Sequence, residues 1–188
     1  MMQSLPIMQC DQMPATRSEL FARLDALGID HATVVHPPLH TVEESKRLRG
    51  DIPGAHTKNL FLKCKKGTLW LIVALESAQV PLKRFHTAIG SGRLSFGKPE
   101  LLREVLGIEP GSVSPFALIN DTQTRVSVIL DEAMMACDPL NFHPLENTAT
   151  TAITGAGLLA FIDSCGHRPR IMDLTAPQSA DPPQAARS

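Results

Sequence analysis

The chain has 188 residues, of which 43% are hydrophobic and 20% charged, a balance that suits one globular domain with its own core. Its formal net charge is −1, which argues against a general nucleic-acid binder that neutralises phosphates over its whole surface. With one tryptophan and no tyrosine, base stacking is not expected to be the main mode of binding.

The four cysteines and the first residues predict a cytoplasmic protein. No Cys-x-x-Cys pair occurs, and the scatter of the cysteines predicts reduced thiols. Residues 1–11 contain no basic segment followed by an apolar one, so no secretory signal is predicted. No apolar run approaches the roughly 20 residues that a membrane-spanning helix needs.

Short helices and strands are predicted to alternate in the N-terminal part of the chain. Residues 1–13 are interpreted as a flexible leader. Residues 16–19 form a capping box ahead of apolar residues at helical spacing, and Gly28 ends that helix. A strand is predicted over residues 32–35, and a second capping box predicts a short helix over residues 41–50.

A β-hairpin is predicted next, with strands over residues 60–64 and 68–75 around a turn that contains Gly67. Both strands are almost continuously apolar, so both faces of the hairpin are expected to be covered. The lysines at its tip are interpreted as solvated side chains: Lys63, Lys65 and Lys66.

The remaining elements complete a mixed α+β pattern in one domain over residues 14–174, followed by a disordered tail over residues 175–188. Hairpins mixed with helices predict a mixed, mostly antiparallel sheet with helices packed on it. The predicted elements are helices over residues 81–89, 99–106 and 157–164, and strands over residues 116–119, 126–130 and 171–174.

Two familiar types of site are disfavoured. Residues 92–98 match most of a phosphate-binding loop, but Pro99 stands where a magnesium-binding hydroxyl is required, so this stretch is interpreted as a turn. His31, His36 and His40 lack the spacing and the partners of a zinc site, and they are predicted to be solvated.

Lys58 and Asn59 stand directly before the apolar run at residues 60–62, which places a cation and an amide at the mouth of a buried strand. Such groups must be hydrogen-bonded or face a cleft, because burying them unpaired is costly. Two other polar segments are candidates to face the same cleft, residues 111–115 and 142–148.

These two segments are compatible with a catalytic role but do not by themselves establish one. Gly111 lets backbone N–H groups approach a ligand closely enough to hold an oxyanion, although an ordinary tight turn explains the loop equally well. His143 is consistent both with a hydrogen-bonded core residue and with a functional one. No Gly-x-Ser-x-Gly elbow occurs, so any hydrolysis is expected to use a positioned water.

Taken together, the motifs carry a resemblance to a known family. They occur in a fixed order along the chain: residues 57–62, 111–115, Asp131, 142–144 and 147–148. In this combination the chain resembles the YbaK/prolyl-tRNA-synthetase-associated editing family, and most closely its freestanding ProX-type alanyl-tRNA(Pro) deacylases. The likeness covers residues 14–174.

The resemblance implies a mixed, largely antiparallel and curved sheet surrounded by helices. It also implies a carboxylic ester hydrolase that removes a wrong amino acid from the 3′ end of tRNA(Pro) in trans. No metal or organic cofactor is expected. The implied partners are the tRNA(Pro) acceptor end and, as an open second partner, prolyl-tRNA synthetase, with no DNA; monomer and homodimer both remain open.

Three catalytic positions follow from the resemblance. It implies that Lys58 engages the tRNA 3′ end, that Gly111 begins a Gly-x-x-x-Pro loop beside the aminoacyl group, and that His143 lies at the amino-acid pocket. The general base is left open between His143 and the substrate's own 2′-hydroxyl, with the hydroxyl favoured. The implied substrate contacts are Asn59, Ser112, Val113, Ser114, Pro115 and Asn147.

Alternatives remain open on the substrate and on the activity. A pocket sized for alanine excludes proline, but cysteine is close to alanine in size, so deacylation of Cys-tRNA(Pro) is an alternative. The others are a non-catalytic module that binds tRNA or the synthetase, and a hydrolase of small esters.

Overall fold

The computed structural model describes residues 13–38 and 52–175. Most of the predicted leader, the predicted helix over residues 41–50 and nearly all of the predicted tail lie outside them. The described helices are α1 (Arg17–Ala26), α2 (Leu82–Ala88), α3 (Pro99–Leu106), α4 (Glu132–Met135) and α5 (Gly155–Ser164), with a 3-10 helix at Pro115–Asn120. The described strands are β1 (His31–Val35), β2 (Ala55–Cys64), β3 (Leu69–Leu75), β4 (Leu94–Phe96), β5 (Val126–Asp131), β6 (Leu140–Phe142), β7 (Ala149–Ile153) and β8 (Arg170–Met172).

These strands form one sheet in the order β1-β7-β6-β2-β3-β5-β8, with β4 also paired to β2. Four pairings are antiparallel (β1 with β7, β2 with β3, β2 with β4, β6 with β7). Three pairings are parallel (β2 with β6, β3 with β5, β5 with β8). The prediction of a mixed, largely antiparallel sheet with helices is confirmed.

The core consists of two apolar clusters, because β3 is buried on both of its faces. Leu69, Leu71 and Val73 belong to the larger cluster, which also contains buried residues of α1, α3 and α5. The alternate residues Trp70, Ile72 and Ala74 belong to a smaller cluster with Phe85 of α2. The predicted covering of both faces of the hairpin is therefore confirmed for β3.

The predicted capping box at the start of α1 is present. The hydroxyl of Thr16 accepts the backbone N–H of Glu19 at 3.3 Å, and the Glu19 carboxylate accepts the backbone N–H of Thr16 at 2.7 Å. That second hydrogen bond lowers the pKa of the Glu19 carboxyl. Gly28 follows the helix with a φ of 66°, a left-handed conformation that glycine adopts without strain.

The strand predicted over residues 116–119 is wrong, because these residues lie in the 3-10 helix Pro115–Asn120. Ser114 caps this helix by accepting the backbone N–H of Phe116 at 3.1 Å. Phe116, Ala117 and Leu118 are all buried in the core. A short, continuous apolar run does not distinguish a buried strand from a buried helical turn, which explains the error.

Three strands were not predicted: β4, β6 and β7. β4 and β6 have only three residues each, too few for an alternating pattern to be recognised. Residues 92–98, interpreted as a turn, contain β4. β2 also begins earlier than predicted, at Ala55, so Lys58 and Asn59 lie within the strand rather than before it.

The contact between Gly97 and Phe61 provides a test of the packing of β4 on β2. A Cβ atom added at Gly97 would lie 2.6 Å from Cε1 of Phe61, a ring that is 4% exposed. Gly97→Ala is therefore expected to lower the free energy of unfolding by about 1–3 kcal/mol in denaturant titrations. Gly92→Ala is the matched control, because its Cβ would lie 4.0 Å from the nearest atom. Equal stability of the two variants would contradict this packing.

Candidate functional site

A small polar pocket lies where β2, β6 and β7 adjoin. Its volume is about 20 Å³, enough for about one water molecule. β2 and β6 contribute most of its lining, with one residue from β7 and one directly after β6. The lining residues are His56, Thr57, Asn59, Asn141, Phe142, His143 and Thr150.

The strand register brings these residues together from distant parts of the chain. β2 runs parallel to β6 with His56 beside Asn141, and β6 runs antiparallel to β7 with Phe142 beside Thr151. The hydroxyl of Thr57 donates to the backbone carbonyl of Asn141 at 2.8 Å. This hydrogen bond ties the two sides of the pocket where the parallel ladder ends.

Two amide oxygens at the pocket are buried without a hydrogen-bond partner, Oδ1 of Asn59 and Oδ1 of Asn141. The orientation of Asn141 follows from its other contact, since Nδ2 donates to the carbonyl of Pro53 at 2.9 Å. Buried acceptors without a partner are costly, and most in folded proteins are satisfied. The two oxygens are thus suited to a ligand that donates hydrogen bonds.

Asn141 was not predicted as a site residue. It is 4% exposed and lies between two apolar residues, Leu140 and Phe142. An amide in the middle of an apolar run is the signal in the sequence that points to it.

His143 lines the pocket, and a backbone contact fixes the position of its proton. Nδ1 lies 3.0 Å from the carbonyl oxygen of Ala149. A carbonyl only accepts hydrogen bonds, so Nδ1 carries a proton, and in the neutral ring Nε2 bears the lone pair. The contact with Ala149 therefore fixes how the ring is oriented at the pocket.

His36 supports the pocket from behind, and the prediction that it is solvated is wrong. It is 8% exposed, and Nε2 lies 2.9 Å from the hydroxyl of Thr150. Its ring centroid is 6.3 Å from that of His143, in an edge-on arrangement. Its backbone N–H also donates to Thr148 at 2.9 Å, which continues the ladder between β1 and β7 and draws the side chain inward. The sequence did not reveal this because β7 was not predicted.

Lys58 and Asn59, adjacent in sequence, leave β2 in opposite directions, because successive side chains of a strand alternate between its faces. Of the two, Asn59 lines the pocket. The ammonium of Lys58 donates a hydrogen bond to the backbone carbonyl of Ala78, whose side chain packs against the smaller apolar cluster. The structure therefore separates the predicted anchor from the residues around His143.

The loop that begins at Gly111 lies against Asn147. Gly111 has a φ of 92°, and a Cβ added there would lie 3.7 Å from Nδ2 of Asn147. The backbone N–H of Ser112 donates to the carbonyl of Glu109 at 3.1 Å, which closes a tight turn. The structure thus brings two of the predicted site residues, Gly111 and Asn147, next to each other.

The other residues of this loop are largely covered. Ser112 is 5% exposed and Ser114 fully buried, and Val113 packs against the larger apolar cluster. Pro115 is buried at the first position of the 3-10 helix. The hydroxyl of Ser114 accepts the backbone N–H of Phe116, so the contact that this side chain makes is a cap of the 3-10 helix.

The segment that carries His143 and Asn147 is also tied to α1. Glu146 pairs with Arg17 at 2.6 Å and accepts the hydroxyl of Thr148 at 2.8 Å. Both charged side chains are about 40% exposed, so the pair adds little stability and mainly restricts the segment.

Residues 13–38 and 52–175 lack the features of two other types of site. This part of the chain contains no group of three or more His, Cys, Asp or Glu side chains placed to hold a metal ion. None of its helices combines the length and apolar character needed to cross a membrane. Its three cysteines are free, which agrees with the predicted thiols: Cys64, Cys137 and Cys165.

The contact between His36 and Thr150 predicts a stability effect. Thr150→Val keeps the shape of the side chain but leaves Nε2 of the buried His36 without its partner. We expect the free energy of unfolding to fall by about 1–3 kcal/mol in denaturant titrations. Thr122→Val, at an exposed position, is the control and is expected to stay within about 0.5 kcal/mol of the parent. A Thr150→Val variant as stable as this control would show that the contact contributes nothing.

Comparisons with known proteins agree on one family. The family described as an aminoacyl-tRNA editing domain matches residues 36–161. A protein from Acetoanaerobium sticklandii named prolyl-tRNA editing protein ProX is 30% identical over 159 residues, covering 84% of this chain and 97% of that protein. A mouse protein named prolyl-tRNA synthetase associated domain-containing protein 1 is 35% identical over 163 residues, covering 84% and 96%.

A solved structure named as a candidate trans-editing enzyme for prolyl-tRNA synthetase has the same fold. Its TM-score is 0.66 at 22% identity, and the match covers 86% of this chain and 98% of that chain. At this identity the likeness concerns the fold alone. The family match and the two relatives show that this chain belongs to the aminoacyl-tRNA editing domain family.

Proposed function

We propose that this protein is a trans-editing aminoacyl-tRNA deacylase that hydrolyses the ester of mischarged Ala-tRNA(Pro). The family membership and the names of the relatives support editing of prolyl-tRNA in general. The observation that carries the proposal is the small pocket beside His143, where the amide oxygens of Asn59 and Asn141 are buried without a partner. The proposed domain spans residues 14–174.

The unpartnered oxygens fit the chemistry of an aminoacyl ester. The substrate's α-ammonium group offers three N–H donors, and the terminal ribose offers hydroxyl donors. Either group can satisfy the Oδ1 atoms of Asn59 and Asn141. Binding there removes the cost of two unsatisfied acceptors, so part of the binding energy comes from the protein's own unpaired groups.

Hydrolysis also needs a placed nucleophile and donors for the developing oxyanion. The backbone N–H groups of Gly111 and Val113 are the proposed donors, because that of Ser112 is already bonded to the carbonyl of Glu109. His143, whose ring is held by the carbonyl of Ala149, is proposed to lie beside the aminoacyl group. We favour the 2′-hydroxyl as the group that assists the water, because a lysine is a poor base unless its pKa is strongly lowered.

Lys58 is proposed as a positioning cation for the tRNA 3′ end rather than as a base. Its ammonium, which donates to the carbonyl of Ala78, can exchange that neutral partner for an anionic phosphate. A charge-assisted hydrogen bond of this kind is stronger than one to a neutral carbonyl.

Pocket size supports a small amino acid. A volume of about 20 Å³, proposed to take the donor group of the substrate, leaves no room for a proline ring, so the cognate Pro-tRNA(Pro) is spared by steric exclusion. Cysteine exceeds alanine by one sulfur atom, and deacylation of Cys-tRNA(Pro) is the alternative within the same chemistry. The proposed partners are the acceptor end of tRNA(Pro) and, as an open second partner, prolyl-tRNA synthetase.

A deacylation assay with Ala-, Cys- and Pro-tRNA(Pro) tests the proposed reaction. We expect Ala-tRNA(Pro) to be hydrolysed about 100-fold faster than Pro-tRNA(Pro), since so small a pocket rejects the larger ring. Release of the free amino acid over time is the measurement. A preference for Cys-tRNA(Pro) would replace alanine by cysteine as the substrate, and three intact aminoacyl-tRNAs would refute the proposed activity.

The proposed role of Lys58 predicts a loss of activity without a loss of folding. Lys58→Met is expected to lower kcat/KM for Ala-tRNA(Pro) by about 100-fold, because a misplaced ester no longer meets the nucleophile. The thermal midpoint is expected to move by less than about 2 °C. Lys83→Met, a change to an exposed lysine of α2, is the matched control and should retain the parent rate. Parent activity in Lys58→Met would remove Lys58 from the mechanism.

One observation favours a second candidate function. Because the ammonium of Lys58 is engaged with Ala78, a non-catalytic module that binds tRNA or the synthetase is the competing interpretation. It predicts that tRNA(Pro) binds without any release of amino acid. The same deacylation assay, run beside a tRNA-binding measurement, distinguishes the module from the enzyme.

A further inference from the structure

Positive charge is concentrated in one stretch of a chain that is nearly neutral overall. Residues 57–99 contain eight of the 18 lysines and arginines but only one of the 19 acidic residues, Glu76. The remaining parts of the chain are correspondingly acidic. A net charge of −1 therefore conceals a strong local separation of charge, which is the usual footprint of a polyanion site.

The fold places four of these cations side by side, and we call them the basic hairpin surface: Lys63, Lys65, Lys66 and Arg93. Lys65 and Lys66 form the turn between β2 and β3. β4 pairs with the end of β2, with Lys63 opposite Ser95 and Cys64 opposite Leu94, so the same register continues to Arg93 beside Lys65. All four side chains are exposed.

The cations of this surface have no ion-pair partner among the described residues. Elsewhere in the described part of the chain, three arginines do pair with carboxylates: Arg17 with Glu146, Arg103 with Glu109, and Arg125 with Glu104. Four neighbouring cations without counter-charges repel one another. An anion lying over the four cations would relieve that repulsion.

We propose that the basic hairpin surface binds the phosphate backbone of the tRNA acceptor stem. This inference rests on the proposed function, and it adds where the double-stranded part of the substrate docks. Six residues of extended chain separate Asn59 at the pocket from Lys65, a distance of about 20 Å at 3.3 Å per residue. That distance suits the unpaired 3′ end of a tRNA, so an ester at the pocket brings the first base pairs of the stem onto the surface.

A different explanation covers part of this surface. β4 lies at an edge of the described sheet, and Phe96 on it is 65% exposed, so nearby lysines would protect the edge from pairing with another chain. That role fits Lys63, which lies within the ladder. It does not account for Lys65 and Lys66, which lie in the turn beyond the paired strands. Contact with phosphates accounts for all four cations.

Binding of uncharged tRNA(Pro), followed by fluorescence anisotropy across a range of salt concentrations, tests the surface without requiring catalysis. In the double variant Lys65→Gln/Lys66→Gln, the slope of log affinity against log salt is expected to fall by about two, one for each lost phosphate contact. Affinity near 0.1 M salt is expected to fall about tenfold. Arg168→Gln/Arg170→Gln removes the same charge at two other exposed positions and should bind like the parent.

A kinetic experiment distinguishes the role of this surface from that of the pocket. With Ala-tRNA(Pro), the Lys65/Lys66 variant is expected to show a KM about tenfold higher with kcat unchanged. With a short alanyl oligonucleotide that ends in CCA and lacks the stem, the variant and the parent should be equal. If both double variants bind tRNA equally, the proposed role of the surface is refuted, while the deacylase activity is decided by its own assay.

The remaining outcomes are equally decisive. A parent protein that binds tRNA but releases no alanine, together with weaker binding by the Lys65/Lys66 variant, refutes the deacylase and supports the surface. Unchanged tRNA binding by the Lys65/Lys66 variant overturns the inference, and self-association of a Lys63→Gln variant in gel filtration would then favour edge protection.

Discussion

The hydrogen-bonded ladders of β2 organise the rest of this structure. One strand of ten residues pairs with β6 at its start, with β3 along most of its length, and with β4 at its end. Each of its side chains is therefore assigned to a face and to a set of neighbours by register. The pocket lies at one end of this strand and the basic hairpin surface at the other.

Two of the buried side-chain atoms that lack a hydrogen-bond partner lie together at the pocket. The apolar clusters on both faces of β3 are closely covered, yet Asn59 and Asn141 each keep an unpaired amide oxygen at the pocket. A bound ligand or an ordered water can supply the missing partner, and the pocket has room for a group of about that size. His36 and Thr150, hydrogen-bonded behind His143, support the same place with satisfied contacts.

Local patterns predicted much of the fold. The capping box of α1, the hairpin with Gly67 and the helix that starts at Pro99 all depend on residues close together in the chain, and the structure confirms them. The three-residue strands β4 and β6 exist only because longer partners pair with them. The apolar run at Phe116 shows a related limit of prediction. Its burial could be predicted from the sequence, but its backbone conformation could not.

The sequence by itself determined the family of this protein and most of its longer elements, because ordered motifs and local capping or turn chemistry are written in neighbouring residues. Only the tertiary structure decided how the site is assembled. It brought Asn141 to Asn59, buried His36 and turned Lys58 away from the pocket. These outcomes depend on the pairing of β2 with β6 and of β1 with β7, which joins segments about 85 to 120 residues apart in the chain. No local pattern records such a register.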